Sequence, residues 1–177
     1  GRCPAPDRSA EQRQARRQGL SRPPLSIAFD IEAGDAPEGL EPVVERAIFA
    51  AIGGAKPRFT GVSEVSVLLT DDAEQRELNS QWRGIDKSTN VLSFPQIEPF
   101  GPVSGLVGDI TLALETVRRE AEEMDLTFEA HFTHLVVHGF LHLLGYDHIE
   151  DNEAEEMEGL ETRILAGLGI ADPYADS

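Results

Sequence analysis

From residue 25 onward, apolar and polar positions alternate between two periods. Leu25 to Ile31 alternates apolar with polar residues, which predicts a strand, and Val62 to Leu69 predicts a second. Between them, Leu40 to Ile52 spaces its apolar residues as an amphipathic helix. Thr70 or Asp71 is suited to cap a further helix running to about Trp82. Val91 to Phe94 and Gly105 to Leu112 predict two more strands, separated by a loop with Pro95, Pro99, Gly101 and Pro102. Helices are expected near 114–124, 127–144 and 152–168. Such alternation requires crossover connections and some parallel pairing. No internal repeat is visible.

The helix at 127–144 differs from the others. Thr127 is its expected N-cap, and Phe128, Phe132, Leu135, Val136, Val137, Phe140, Leu141 and Leu143 make it apolar on nearly every side, as in a helix buried in a core. All five histidines of the chain lie between 131 and 148. At about 100° per residue, His131, His134, His138 and His142 share an arc of roughly 80°. His138 and His142 are four apart, so they stack on one face close enough to share an ion. Gly145 can take the left-handed conformation that ends a helix, which lets His148 turn back toward them. Three imidazoles with an open fourth position form the layout of a catalytic zinc site, whose bound water has its pKa lowered to roughly 7. His131 and His134 are expected as packing, surface or ligand-supporting groups.

The spacing resembles that of the metzincin proteases, His-Glu-x-x-His-x-x-Gly-x-x-His, where the glutamate is the general base. Here Gly139 stands in the glutamate's place, so no carboxylate is supplied to take the water's proton. A second resemblance covers about residues 25 to 174. The run His138 to His148, the block Asn79 to Pro95, Gly108-Asp109-Ile110, and the acidic stretch through Glu156-Met157-Glu158 to Asp172-Pro173-Tyr174 are similar to the YbeY family of bacterial rRNA-maturation endoribonucleases. Asn90 stands where that family often has Asp, which leaves a hydrogen-bonding role but not a charged one.

The resemblance implies an α+β fold: a single domain over 25–177, with a four-stranded mixed sheet, five to six helices, and a metal site at the C-terminal end of a buried helix. It implies a single-strand-specific, metal-dependent endoribonuclease acting in rRNA maturation and ribosome quality control through a zinc-activated water. One zinc ion (Zn2+) per chain would be held by His138, His142 and His148. Ribosomal RNA would be the partner, on the ribosome or presented by a ribosomal protein, with neither DNA nor a membrane involved. On its residue type alone Arg83 is an ordinary surface arginine, but the matching block implies that it follows a helix into a loop and grips a phosphate with its planar fork. Asp147 could orient a ligand, accept a proton, or stabilise a turn. Asn79, Lys87, Ser88 and Thr89 are the further expected substrate contacts.

Charge complicates this picture. The chain has a formal net charge of −17. Residues 1–24 hold six arginines, two acidic residues and four prolines, the composition of a disordered tail, and leave nine basic and thirty acidic residues, a charge of −21, for 25–177. Such a surface repels RNA, so contact must be confined to a patch drawn from Arg83, Lys87, Lys56, Arg58, Arg118 and Arg119. In the last helix Met157, Leu160, Ile164, Leu165 and Leu168 form the apolar face, and the glutamates are expected to be solvated. The only cysteine, Cys3, excludes an internal disulfide. With no apolar core of a secretory signal and no membrane-length apolar run, a reducing cytoplasm is the expected compartment. Two alternatives stand beside the nuclease: a metzincin-like metalloprotease, and a non-catalytic zinc-containing ribosome-assembly factor. The second would need a fourth protein ligand to close the site, and Cys3 is remote.

Overall fold

The alternating segments build a sheet with one well-buried face. A computed structural model describes residues 23–32, 36–147 and 150–174. Its strands are β1 (Leu25–Ile31), β2 (Phe59–Thr70), β3 (Val91–Pro95) and β4 (Val103–Ala113), in the order β1-β2-β4-β3. β1, β2 and β4 are parallel, and β3 adds antiparallel to β4 at the edge. In β2, Ser63, Val65, Val67 and Leu69 are buried, while Glu64 is exposed and Ser66 and Leu68 are half-buried. This period-two split is what a strand with one covered face requires.

Five helices complete the described residues: α1 (Leu40–Ala55), α2 (Asp72–Arg83), α3 (Leu114–Glu123), α4 (Phe128–Leu144) and α5 (Asp151–Gly167). The expected α+β class and mixed four-stranded sheet are observed. Pairing extends two strands beyond their sequence pattern: β2 starts at Phe59 because it pairs with Val103, the first residue of β4. Asp71, not Thr70, caps α2, its carboxylate accepting the Glu74 N–H at 2.8 Å. Thr70 instead points inward, donating to the buried Gln75 side chain at 3.1 Å. The expected tail, 1–24, lies outside the described residues except for Pro23 and Pro24. The Pro24 carbonyl accepts the Ser63 N–H at 2.8 Å, so the sheet's bonding already begins there.

α4 is the centre of the fold and packs on α1, α3, α5, β3 and β4. Thr127 caps it by accepting the Ala130 N–H at 3.1 Å. Phe132, Val136, Val137, Phe140, Leu141 and Leu143 are buried against Ile48 of α1, Val67 and Ile110 of the sheet, and Met157 and Leu165 of α5. Two glycines let helix and sheet approach. A Cβ on Gly139 would meet Ile110 Cγ2 at 3.0 Å and Ser93 Oγ at 3.2 Å. One on Gly108 would lie 2.5 Å from the Phe94 carbonyl oxygen and 2.7 Å from Leu143, at a backbone φ of +152°. No helix among the described residues is long and apolar enough to cross a membrane.

Gly108→Ala should therefore destabilise the fold by about 2 kcal/mol or more, since backbone strain and overpacking act together. Urea denaturation would show this as a lower midpoint at unchanged slope.

Candidate metal centre

The stripe of histidines on α4 meets a carboxylate from α5. Glu161 is 0 % exposed, and its oxygens accept hydrogen bonds from His134 Nε2 at 2.9 Å, from His138 Nδ1, and from the Tyr174 hydroxyl. Burial by itself pushes the Glu161 carboxyl up, but the hydrogen bonds from His134, His138 and the Tyr174 hydroxyl outweigh it and hold the group below the usual carboxylate range. Glu161 is thus an ionised acceptor, and its partners must donate. Burial, together with the bond to Glu161, pushes the Tyr174 hydroxyl well above its ordinary value, so it keeps its proton.

This arrangement decides the tautomer of His138. With Nδ1–H committed to Glu161, its Nε2 carries a lone pair, and that atom lies 3.0 Å from His142 Nε2. Two imidazole nitrogens converging on one point, one of them oriented by a carboxylate behind it, match the donor set and support shell of a transition-metal site. His134, His138 and Glu161 offer another set, with possible ligand atoms within 4.8 Å of one another. That trio is already bonded internally, whereas the His138 and His142 pair faces a cleft. His148, the expected third ligand, lies outside the described residues.

The cleft is lined by Arg83, Thr89, Asn90, Ser93, Pro99, His138, His142, Tyr146 and Asp147, among others. α4 ends at Gly145, left-handed at φ +117°, whose N–H returns to the His142 carbonyl at 3.1 Å, and the turn carries Tyr146 and Asp147 back to the cleft. Arg83 is the last residue of α2, before left-handed Gly84, and Nη2 donates to the Ser93 carbonyl at 3.0 Å. Ser93 in turn bonds the Gly139 carbonyl at 2.9 Å, so edge strand β3 joins the arginine to the histidine helix.

Of the expected substrate contacts, Thr89 lines this cleft and three others do not. Asn79 is 5 % exposed and donates to the Lys87 carbonyl at 2.7 Å, so it holds the 84–90 loop from beneath. Lys87 and Ser88 line a separate pocket with Asp72, Ala73, Arg76 and Asp86. Asn90 donates to Glu120 at 3.0 Å, which also pairs with His131 at 3.0 Å; an aspartate there would instead repel that carboxylate.

Glu161 was missed by the expectation that the glutamates of the last helix are solvated. Its position carried a signal, since at about 100° per residue it falls between Met157 and Leu165 within the apolar arc. A charge inside an apolar stripe needs a buried partner. His134 acts as that partner and supports the site rather than facing the cleft.

Fold and cleft together define a small α+β protein with a histidine pair and an arginine at the edge of a mixed sheet. Residues 35–169 match the family model described as Endoribonuclease YbeY. The chain is 56% identical over 147 residues to an Endoribonuclease YbeY of a Bradyrhizobium species, covering 80% of this chain and 86% of that one. It is 52% identical over 161 residues to the Rhizobium meliloti protein of the same name, covering 86% and 96%. A Thermotoga maritima protein with a solution structure superposes with a TM-score of 0.54 at 31% identity, over 79% of this chain and 87% of that one. The chain belongs to the endoribonuclease YbeY family.

If Glu161 orients His138, Glu161→Gln should keep the fold but weaken zinc binding about 10- to 100-fold. Competition with a chelating dye measures this directly. Unchanged affinity would assign Glu161 to packing alone.

Proposed function

We propose that this protein is a metal-dependent endoribonuclease that cuts single-stranded RNA in ribosomal RNA maturation and ribosome quality control, in the cytoplasm. One zinc ion per chain is assigned to His138, His142 and His148. The observation that carries the reading is the convergence of His138 Nε2 and His142 Nε2 in a cleft that also holds Arg83, in a chain of this family. When bound, such an ion supplies Lewis-acid polarisation of a water or a phosphoryl oxygen.

The chain's own residues do the rest. Glu161 keeps the Nδ1 proton of His138 and so keeps its Nε2 available as a donor atom. Arg83, anchored through one nitrogen to the Ser93 carbonyl, has further N–H groups with which to neutralise charge on the transferring phosphoryl group. Asp147 is assigned as proton acceptor because it is the only carboxylate among the described residues lining the cleft. Thr89 and Asn90 supply polar contacts to the strand. Ribosomal RNA, on the ribosome or held by a ribosomal protein, is the proposed partner, because a net charge of −17 gives little unaided affinity for a polyanion.

The peptidase alternative is disfavoured by packing as well as by residue type. A glutamate at 139 would have to grow into Ile110, Ser93 and Val91, whose atoms lie 3.0 to 3.2 Å from the first carbon it would add. Gly139→Glu should therefore unfold the protein at lower temperature and gain no caseinolytic activity.

The reaction is tested with a labelled oligoribonucleotide. Arg83→Ala should retain metal and fold yet cut RNA about 10²-fold more slowly, with Arg83→Lys restoring part of the loss, because a lysine returns the charge without the planar fork. His142→Ala should abolish cleavage. Cleavage by Arg83→Ala at the wild-type rate, metal retained, would favour a non-catalytic assembly role.

A further inference from the structure

An acidic nuclease must hold its substrate by something other than charge. Among the described residues, Arg46 pairs with Glu129 at 3.2 Å, Arg76 with Asp86 at 2.7 Å and Arg119 with Asp72 at 3.7 Å. Of the described residues lining the cleft, Arg83 alone carries a permanent positive charge. One guanidinium neutralises about one phosphate, far fewer than nucleic-acid-binding proteins commonly use.

Beside the cleft stands an exposed aromatic ring. Phe100, in the loop between β3 and β4, is 66% exposed, and its ring meets that of Tyr146 edge to face, with centroids 5.0 Å apart at 82°. Tyr146 and Pro99 both line the cleft. The sequence around the ring is Glu98-Pro99-Phe100-Gly101-Pro102, so it is an isolated aromatic rather than part of an apolar run.

The backbone of Phe100 is left-handed, at φ +58°, a conformation that favours glycine. It is kept there by rigid neighbours. The Phe100 N–H donates to the Leu144 carbonyl, at the end of the histidine helix, at 2.7 Å. Gly145 makes the approach possible, since a Cβ there would lie 2.8 Å from Pro99 Cα and 2.9 Å from Phe100 N. An exposed aromatic held in a costly conformation by the element that carries the histidines is preorganised for a ligand, not for its own core.

We propose that Phe100, propped by Tyr146, is a nucleobase platform, on which an unpaired base of single-stranded RNA stacks beside the phosphate held in the cleft. The inference rests on the endoribonuclease reading and deepens it. Stacking needs no positive charge and tolerates any base, and bases in a duplex cannot reach a lone ring. An acidic chain thereby gains affinity for RNA and selects single-stranded segments in one step.

The test uses the full, zinc-loaded chain and a fluorophore–quencher oligoribonucleotide. Phe100→Gly should raise KM about tenfold, the lower part of what one stacked base contributes, with kcat little changed. Its melting temperature should hold or rise, because glycine suits the left-handed backbone. Phe100→Trp should keep the wild-type KM, and in a Trp82→Phe background, where it is the sole indole, its fluorescence should be quenched by RNA. A wild-type KM in Phe100→Gly would overturn the platform while leaving the nuclease intact. A raised KM accompanied by a fall in melting temperature would overturn it in favour of a structural role. Wild-type protein that neither binds nor cuts RNA would reject the endoribonuclease reading and the platform with it.

Discussion

The candidate site depends on one buried carboxylate. Glu161 has no contact with solvent, yet it accepts bonds from His134, His138 and Tyr174 and so joins α5, α4 and the C-terminal segment at one point. Leaving a buried carboxylate without donors would cost several kcal/mol, so the three donors are held as firmly as the charge itself. The same contact selects the tautomer of a neutral His138, and so turns a structural constraint into a chemical one: with Nδ1–H toward Glu161, the nitrogen that faces the cleft is the one with the lone pair.

Around this point the fold is organised to bring a helix close to an edge strand. Gly139 and Gly108 remove the side chains that would keep α4 from β3 and β4, and Ser93 bridges the gap by donating to the Gly139 carbonyl. Among the described residues β3 lies at the edge of the sheet, with no strand beyond it, and the Ser93 carbonyl accepts from the Arg83 guanidinium. An edge strand is normally a liability, with backbone groups open to unwanted pairing. Here an arginine from α2 occupies one of those groups and stands in the cleft at the same time.

Charge and function pull in opposite directions across the surface. A chain with this excess of acid gains solubility and loses general attraction for RNA. Among the described residues, the cleft offers for short-range contacts one arginine, the polar groups of Thr89 and Asn90, and the Tyr146 ring with Phe100 packed on it. The Asn90 amide, by donating to Glu120, also removes a charge clash that an aspartate would create beside the histidine stripe.

Much of the molecule was legible in the residues because the relevant physics is local. Short apolar runs, one of them alternating with period two, marked all four strands, and an all-round apolar helix capped by Thr127 and closed by Gly145 marked α4 and its pair His138 and His142. What the residues could not show was which polar side chain meets which across the core. Asn79 looked like a substrate contact and instead holds a loop, Lys87 and Ser88 turn to another pocket, and Glu161 looked solvated and lies at the centre of the site. Strand ends likewise followed their partners, as when Phe59 joined β2 by meeting Val103. Secondary structure and the histidine stripe follow from contacts a few residues apart, which the order of residues determines by itself. The partner of a buried charge, and the direction of a side chain at a cleft, depend on helices and strands distant in sequence, and only their packing decided them.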